Sequence, residues 1–65
     1  MKGVSIGYGR LLGETDKAIR VVLDDSLRQH WIPKSQVHDD SEVWDTMHDE
    51  GNIVVNAWFA EQLSD

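Results

Sequence analysis

The chain has 65 residues, no cysteine and a formal net charge of −6. A chain this short buries only about 60% of the surface its unfolded form exposes, which leaves one small domain spanning 1–65 and no room for a deep catalytic cleft beside the core. The missing cysteines exclude a disulfide framework, a zinc–thiolate centre and a thiol nucleophile, and the negative total argues against a nucleic-acid or anionic-membrane ligand, since both are bound by Lys and Arg.

The opening MKGVSIGYGR is too polar and Gly-rich for a secretory signal. Residues 4–12, VSIGYGRLL, alternate Val4, Ile6 and Tyr8 with small or polar residues, the period of a strand. Gly7 and Gly9 leave its other face bare, which predicts sharp curvature or the close approach of another backbone. G-Y-G is not a phosphate loop, because the Lys-Ser/Thr end and the following helix are missing. After a turn at 13–16, residues 17–24 form a second strand with Ile19, Val21 and Leu23 on one face. Asp24-Asp25-Ser26 is a tight connection. Residues 27–32 form a third strand, which Pro33 ends or places at an edge. Residues 34–37 continue as a bent extension. Residues 41–47 are expected to form a fourth strand, 49–52 a turn, and 53–55 a short buried strand. Asn56 is a good N-cap residue, and AWFAEQL suits two turns of helix packing through Phe59, Leu63 and one side of Trp58. The fold class is α+β, mainly β: about five short antiparallel strands in a bent sheet or small open barrel, with one short C-terminal helix. No apolar run approaches the roughly 20 residues that cross a bilayer, and the expected location is the cytoplasm, in a host cell.

Charge is divided unevenly. Residues 1–34 hold all six bases and four acids, a balance of +2; residues 35–65 hold eight acids and no base, −8. Six of these acids, Asp39, Asp40, Glu42, Asp45, Asp49 and Glu50, fall within VHDDSEVWDTMHDEGN, residues 37–52. If extended, this stretch places Asp40 and Glu42 on one face roughly 6–7 Å apart. Like charges held together cost stability, so an array with no compensating Lys is either a solvated, charge-repelling surface that keeps the protein soluble or a field directed at a basic partner. His38 and His48 each precede an acidic pair, but they lack the spacing of a zinc pair. Counted from Asp45, the calcium-loop pattern also fails, with Met47 at a ligand position and Gly51 one place late. No metal and no cofactor is expected. Nothing aligns a nucleophile with a base and an orienting group, so no enzyme is expected. Trp31, Trp44 and Trp58 suit a small core better than a base-stacking platform. Trp44, inside the acidic stretch, also suits a surface anchor.

Two segments, WIPKSQV (31–37) after KAIRVVLD and EGNIVVNAWFAEQL (50–63), resemble a family of small phage and prophage proteins. That family runs strand, W-I-P-K/R-S-Q, acidic segment, short strand, and a helix opening W-hydrophobic-A-E. The resemblance covers most of 15–63. The chain departs from it where Gln62 and Leu63 follow Glu61, a place where such helices often carry Lys. The resemblance implies a phage or mobile-element origin. In size, acidity, lack of cysteine and that origin, the chain is similar to anti-CRISPR proteins of the DNA-mimicking type. The expectation is a monomeric, non-enzymatic inhibitor that binds a basic nucleic-acid-binding complex of the host, such as a CRISPR effector, with no direct nucleic-acid contact. Its partner-binding residues would be Asp39, Asp40, Glu42, Trp44, Asp45, Asp49 and Glu50. The alternative is a phage accessory module of DNA replication or recombination, touching nucleic acid or a replication protein through Arg10, Arg20, Arg28 and Lys34.

Overall fold

The computed structural model describes residues 2–63. Four antiparallel strands, β1 (Gly3–Glu14), β2 (Ala18–Leu23), β3 (Gln29–Pro33) and β4 (Glu50–Asn56), form an open sheet in the order β3-β2-β1-β4, and one helix, α1 (Ala57–Leu63), follows. The long first strand pairs with β4 on one side and β2 on the other. Its register shifts between Ser5 and Gly7 and again between Leu11 and Gly13. An extra residue at each bulge adds bend and twist, which lets one strand serve two partners on a strongly curved sheet.

The side-chain alternation read from the sequence places the core. Ile19 and Val21 of β2, Ile32 of β3, and Ile53 and Val55 of β4 are fully buried together with Val43. Ile6, Leu11, Leu23, Val37, Phe59 and Ala60 pack around them. Gly9 is where another backbone comes close: a Cβ there would stand 2.2 Å from the Val22 carbonyl oxygen. Thus the bare face predicted for β1 exists because β2 presses against it. Pro33 is the last residue of β3, an edge strand, as its missing N–H requires. The bent extension is a 3₁₀ turn over Lys34–Gln36, after which Val37 makes an isolated bridge to Val55. The side-chain amide of Asn56, just before α1, donates to the Ser35 carbonyl and to Gln36 Oε1, both at 3.4 Å.

Two expectations fail here. Residues 41–47 are not a strand, and the turn assigned to 49–52 is instead the beginning of β4. The chain does run beside β4, but it pairs through a mixture of backbone and side chains. His38 N donates to the Val54 carbonyl and Glu42 N to the Asn52 carbonyl, as a neighbouring strand would. The opposite bonds go to side chains: Val54 N donates to Ser41 Oγ at 3.1 Å and Asn52 N to Glu42 Oε1 at 2.8 Å. Short polar side chains that compete with backbone ladders have removed the regular strand. Ser41 Oγ also donates to the Val43 carbonyl, so this buried hydroxyl is fully used. Gly51, with φ +143°, leaves room for Glu42; a Cβ there would lie 2.8 Å from that of Glu42.

Trp31 and Trp58 also depart from the expected core, while Trp44 takes the surface position that was its alternative. Trp31, Trp44 and Trp58 are 55%, 47% and 59% exposed, while branched aliphatics fill the interior. A core of Ile and Val between closely curled strands has no space for indoles, and the alternation of β3 puts Trp31 on the face opposite Ile32.

Replacing Ser41 by Ala strands the buried amide of Val54 without an acceptor. The expected loss is about 1–3 kcal/mol in chemical denaturation, with faster hydrogen exchange at Val54 than at Val21.

Candidate functional site

The connection from His38 to Asp49 carries the acidic residues, and it is ordered by local bonds. His38 Nδ1 accepts the Asp40 amide at 3.1 Å, which puts the proton of the neutral ring on Nε2. The Asp40 carboxylate, 3.6 Å from the same nitrogen, remains largely exposed. Val43 then plugs the core and fixes the base of a small loop. Trp44 N donates to the His48 carbonyl at 3.0 Å to close it. Asp45 Oδ1 organises its interior, accepting Met47 N at 2.9 Å, His48 N at 2.7 Å and the His48 ring at 2.9 Å. The rings of Trp44 and His48 stack with centroids 4.3 Å apart and planes 13° from parallel. On the far side, Leu11 N donates to the Asp49 carbonyl, tying the loop to β1.

The sequence-predicted residues therefore separate into two sets. Glu42 and Asp45 are engaged in hydrogen bonds of the fold: Glu42 closes the edge of β4, and Asp45 holds the loop. The expected shared face of Asp40 and Glu42 is not formed, because no strand runs through 41–47. Asp39, Asp40, Asp49 and Glu50 are exposed. No hydrogen bond among the described residues engages the side chains of Asp39, Asp49 or Glu50. Trp44 and Met47 of the same loop are exposed as well, Met47 at 84%. Met47 has no periodic partner in the sequence and was not legible as a surface residue; an apolar side chain inside a polar loop was the only sign.

Two bases enter the site that the sequence division had kept apart. Arg10 of β1 stands in register with Glu50. Lys34 joins Val37, His38, Asp39 and Trp44 around an open hollow of about 410 Å³, and it pairs with Glu14 at 2.5 Å. The acidic corner is thus the exposed turn of Asp39 and Asp40 beside that hollow, with Asp49 at the other end of the connection.

Burial would raise the Asp45 carboxyl, but the hydrogen bond from the His48 ring, those from the His48 and Met47 amides, and the His48 charge together hold it below its ordinary 3.8. Among the described residues, no group of three or more His, Asp or Glu side chains is placed to hold a metal ion, and no helix is long and apolar enough to cross a membrane. No protein-family model, curated protein or solved structure matches the chain significantly.

Because the folded loop depresses the Asp45 pKa, its contribution to loop stability is present above the ordinary value of 3.8 and is lost as pH falls through the lower folded value. Trp44 stacks on the histidine that Asp45 holds. Tryptophan emission in an otherwise folded protein is therefore expected to change in that acid window, and Asp45→Asn to remove that transition.

Proposed function

We propose that the protein is a phage-encoded, non-enzymatic inhibitor of a host defence complex. Its acidic corner would occupy a basic nucleic-acid-binding surface, such as that of a CRISPR effector. The observation carrying this proposal is that residues 39–50 expose two large apolar side chains, Trp44 and Met47, together with four carboxylates that are not consumed by the fold: Asp39, Asp40, Asp49 and Glu50. An aromatic anchor surrounded by charge suits a protein interface, where the ring supplies buried area and the carboxylates speed encounter with a positive surface. The carboxylates carry the charge of phosphates, and the hydrogen bonds to Asp45 order the loop that holds Trp44 before binding, which lowers the ordering cost.

The test is competition between this protein and labelled target DNA for purified CRISPR effector complexes. Asp39→Lys with Asp40→Lys is the informative change, since neither side chain supports the core or the β4 edge. The double variant is expected to bind about tenfold or more weakly, with a flatter salt dependence, and Trp44→Ala to shorten the lifetime of the complex. Inhibition undiminished in the folded double variant, or absent against every effector type tried, would overturn the proposal.

A further inference from the structure

We infer that the outward face of β1–β3 is a weak binding platform for single-stranded nucleic acid, centred on Trp31 and Arg20. The inference rests on the placement of side chains on the sheet and is independent of the reading of the acidic corner.

Residues alternate across a strand, so with Leu11, Val21 and Ile32 turned to the core, the opposite face receives Tyr8, Arg10 and Leu12 from β1, Arg20 and Val22 from β2, and Gln29 and Trp31 from β3. The register sets Arg20 beside Trp31, and Val22 between Gln29 and Arg10. The helix does not cover this face: Phe59 and Ala60 of α1 pack on the core side. Trp31 and Tyr8 are 55% and 64% exposed. Trp44 with His48 is the sole ring stack among the described residues, so neither Trp31 nor Tyr8 spends its face on another ring.

The cation at the centre is held without being neutralised. Arg20 donates from Nε, at 3.0 Å, and from Nη2 to the same oxygen, Gln29 Oε1. An amide fixes the guanidinium in place but leaves its full charge, whereas a carboxylate would cancel it. Lys17 lies at the same end, where Lys34 N donates to its carbonyl. Of the acids at this sheet, Glu14 is paired with Lys34, Glu50 stands in register with Arg10, and Asp24 and Asp25 sit at the hairpin near Tyr8, so the uncancelled positive centre is Arg20 beside Trp31 rather than the Tyr8 end. With a screening length of about 8 Å at physiological salt, phosphates at Trp31 respond first to the fixed charge of Arg20, in register beside it.

Exposed aromatic faces beside fixed guanidinium groups suit unpaired bases and their phosphates, since any base can stack and the cation tracks the backbone. A duplex hides its base faces and gains little from Trp31. Trp31 and Tyr8 are two strands and about four residues apart in register, roughly 16 Å, which a short single strand crosses by way of Arg20 and Arg10.

The experiment is fluorescence anisotropy of labelled oligothymidylate of about ten nucleotides, titrated with the intact protein at about 50 mM salt. Binding near about 100 μM or tighter is expected, stronger than for a duplex of equal length. Trp31→Ala should weaken it about tenfold. Arg20→Gln should weaken it and lower the salt slope by about 0.7, and Tyr8→Phe should preserve what Tyr8→Ala reduces. Both Trp31 and Arg20 are exposed, so circular dichroism should show these variants folded. Absence of binding at low salt, binding indifferent to Trp31→Ala and Arg20→Gln, or Trp31-dependent self-association in place of oligonucleotide binding would each overturn the inference. None of these results bears on the Asp39/Asp40 competition experiment, so the two proposals fail separately.

Discussion

The arrangement depends on how the free edge of β4 is closed. A short edge strand with buried residues on its inner side cannot leave its amides to a passing partner without inviting aggregation. Here the chain between β3 and β4 folds back along that edge. His38 and Glu42 supply backbone donors, while Ser41 Oγ and Glu42 Oε1 supply the acceptors. The same pass delivers Val43 to the core. Edge protection, core completion and positioning of the acidic residues are thus one structural event.

This coupling divides the labour among the carboxylates. A serine and a glutamate replacing strand carbonyls release the chain from regular pairing, and the next residues bulge outward into the Trp44–His48 loop. Glu42 and Asp45 are consumed in building that excursion. Asp39, Asp40, Asp49 and Glu50 remain available, together with an indole that the core had no space to hold. The acidic run is therefore neither a uniform solvated loop nor a uniform charged surface: part of it is scaffold, and the scaffold presents the rest.

The two faces are chemically distinct because the sheet is curled. Alternation sends Ile and Val inward and leaves Tyr8, Arg20 and Trp31 on the outside of β1–β3, while the connection before β4 carries the anions. The strand register, not the linear charge division, decides which opposite charges meet. Arg10 reaches Glu50 across β1 and β4, and Lys34 enters the acidic hollow while tied to Glu14. Arg20 meets only an amide.

Period-two alternation in the first three strands was legible because each strand has one dry face, and the hydrophobic effect imposes that pattern on sequence directly. The glycine at position 9 announced a close backbone, Pro33 an edge, and AWFAEQL a short helix, each through a local steric or hydrogen-bonding rule. The sequence by itself determined these elements, the mainly β class and the concentration of acid after residue 34. Tertiary structure alone decided that 41–47 would not be a strand, that Trp31 and Trp58 would stand outside, and that Glu42 and Asp45 would be spent on hydrogen bonds of the fold. Those outcomes hinge on which partner a side-chain oxygen finds and on how much volume the closed core leaves. Such quantities exist only once distant segments meet, and no local pattern encodes them.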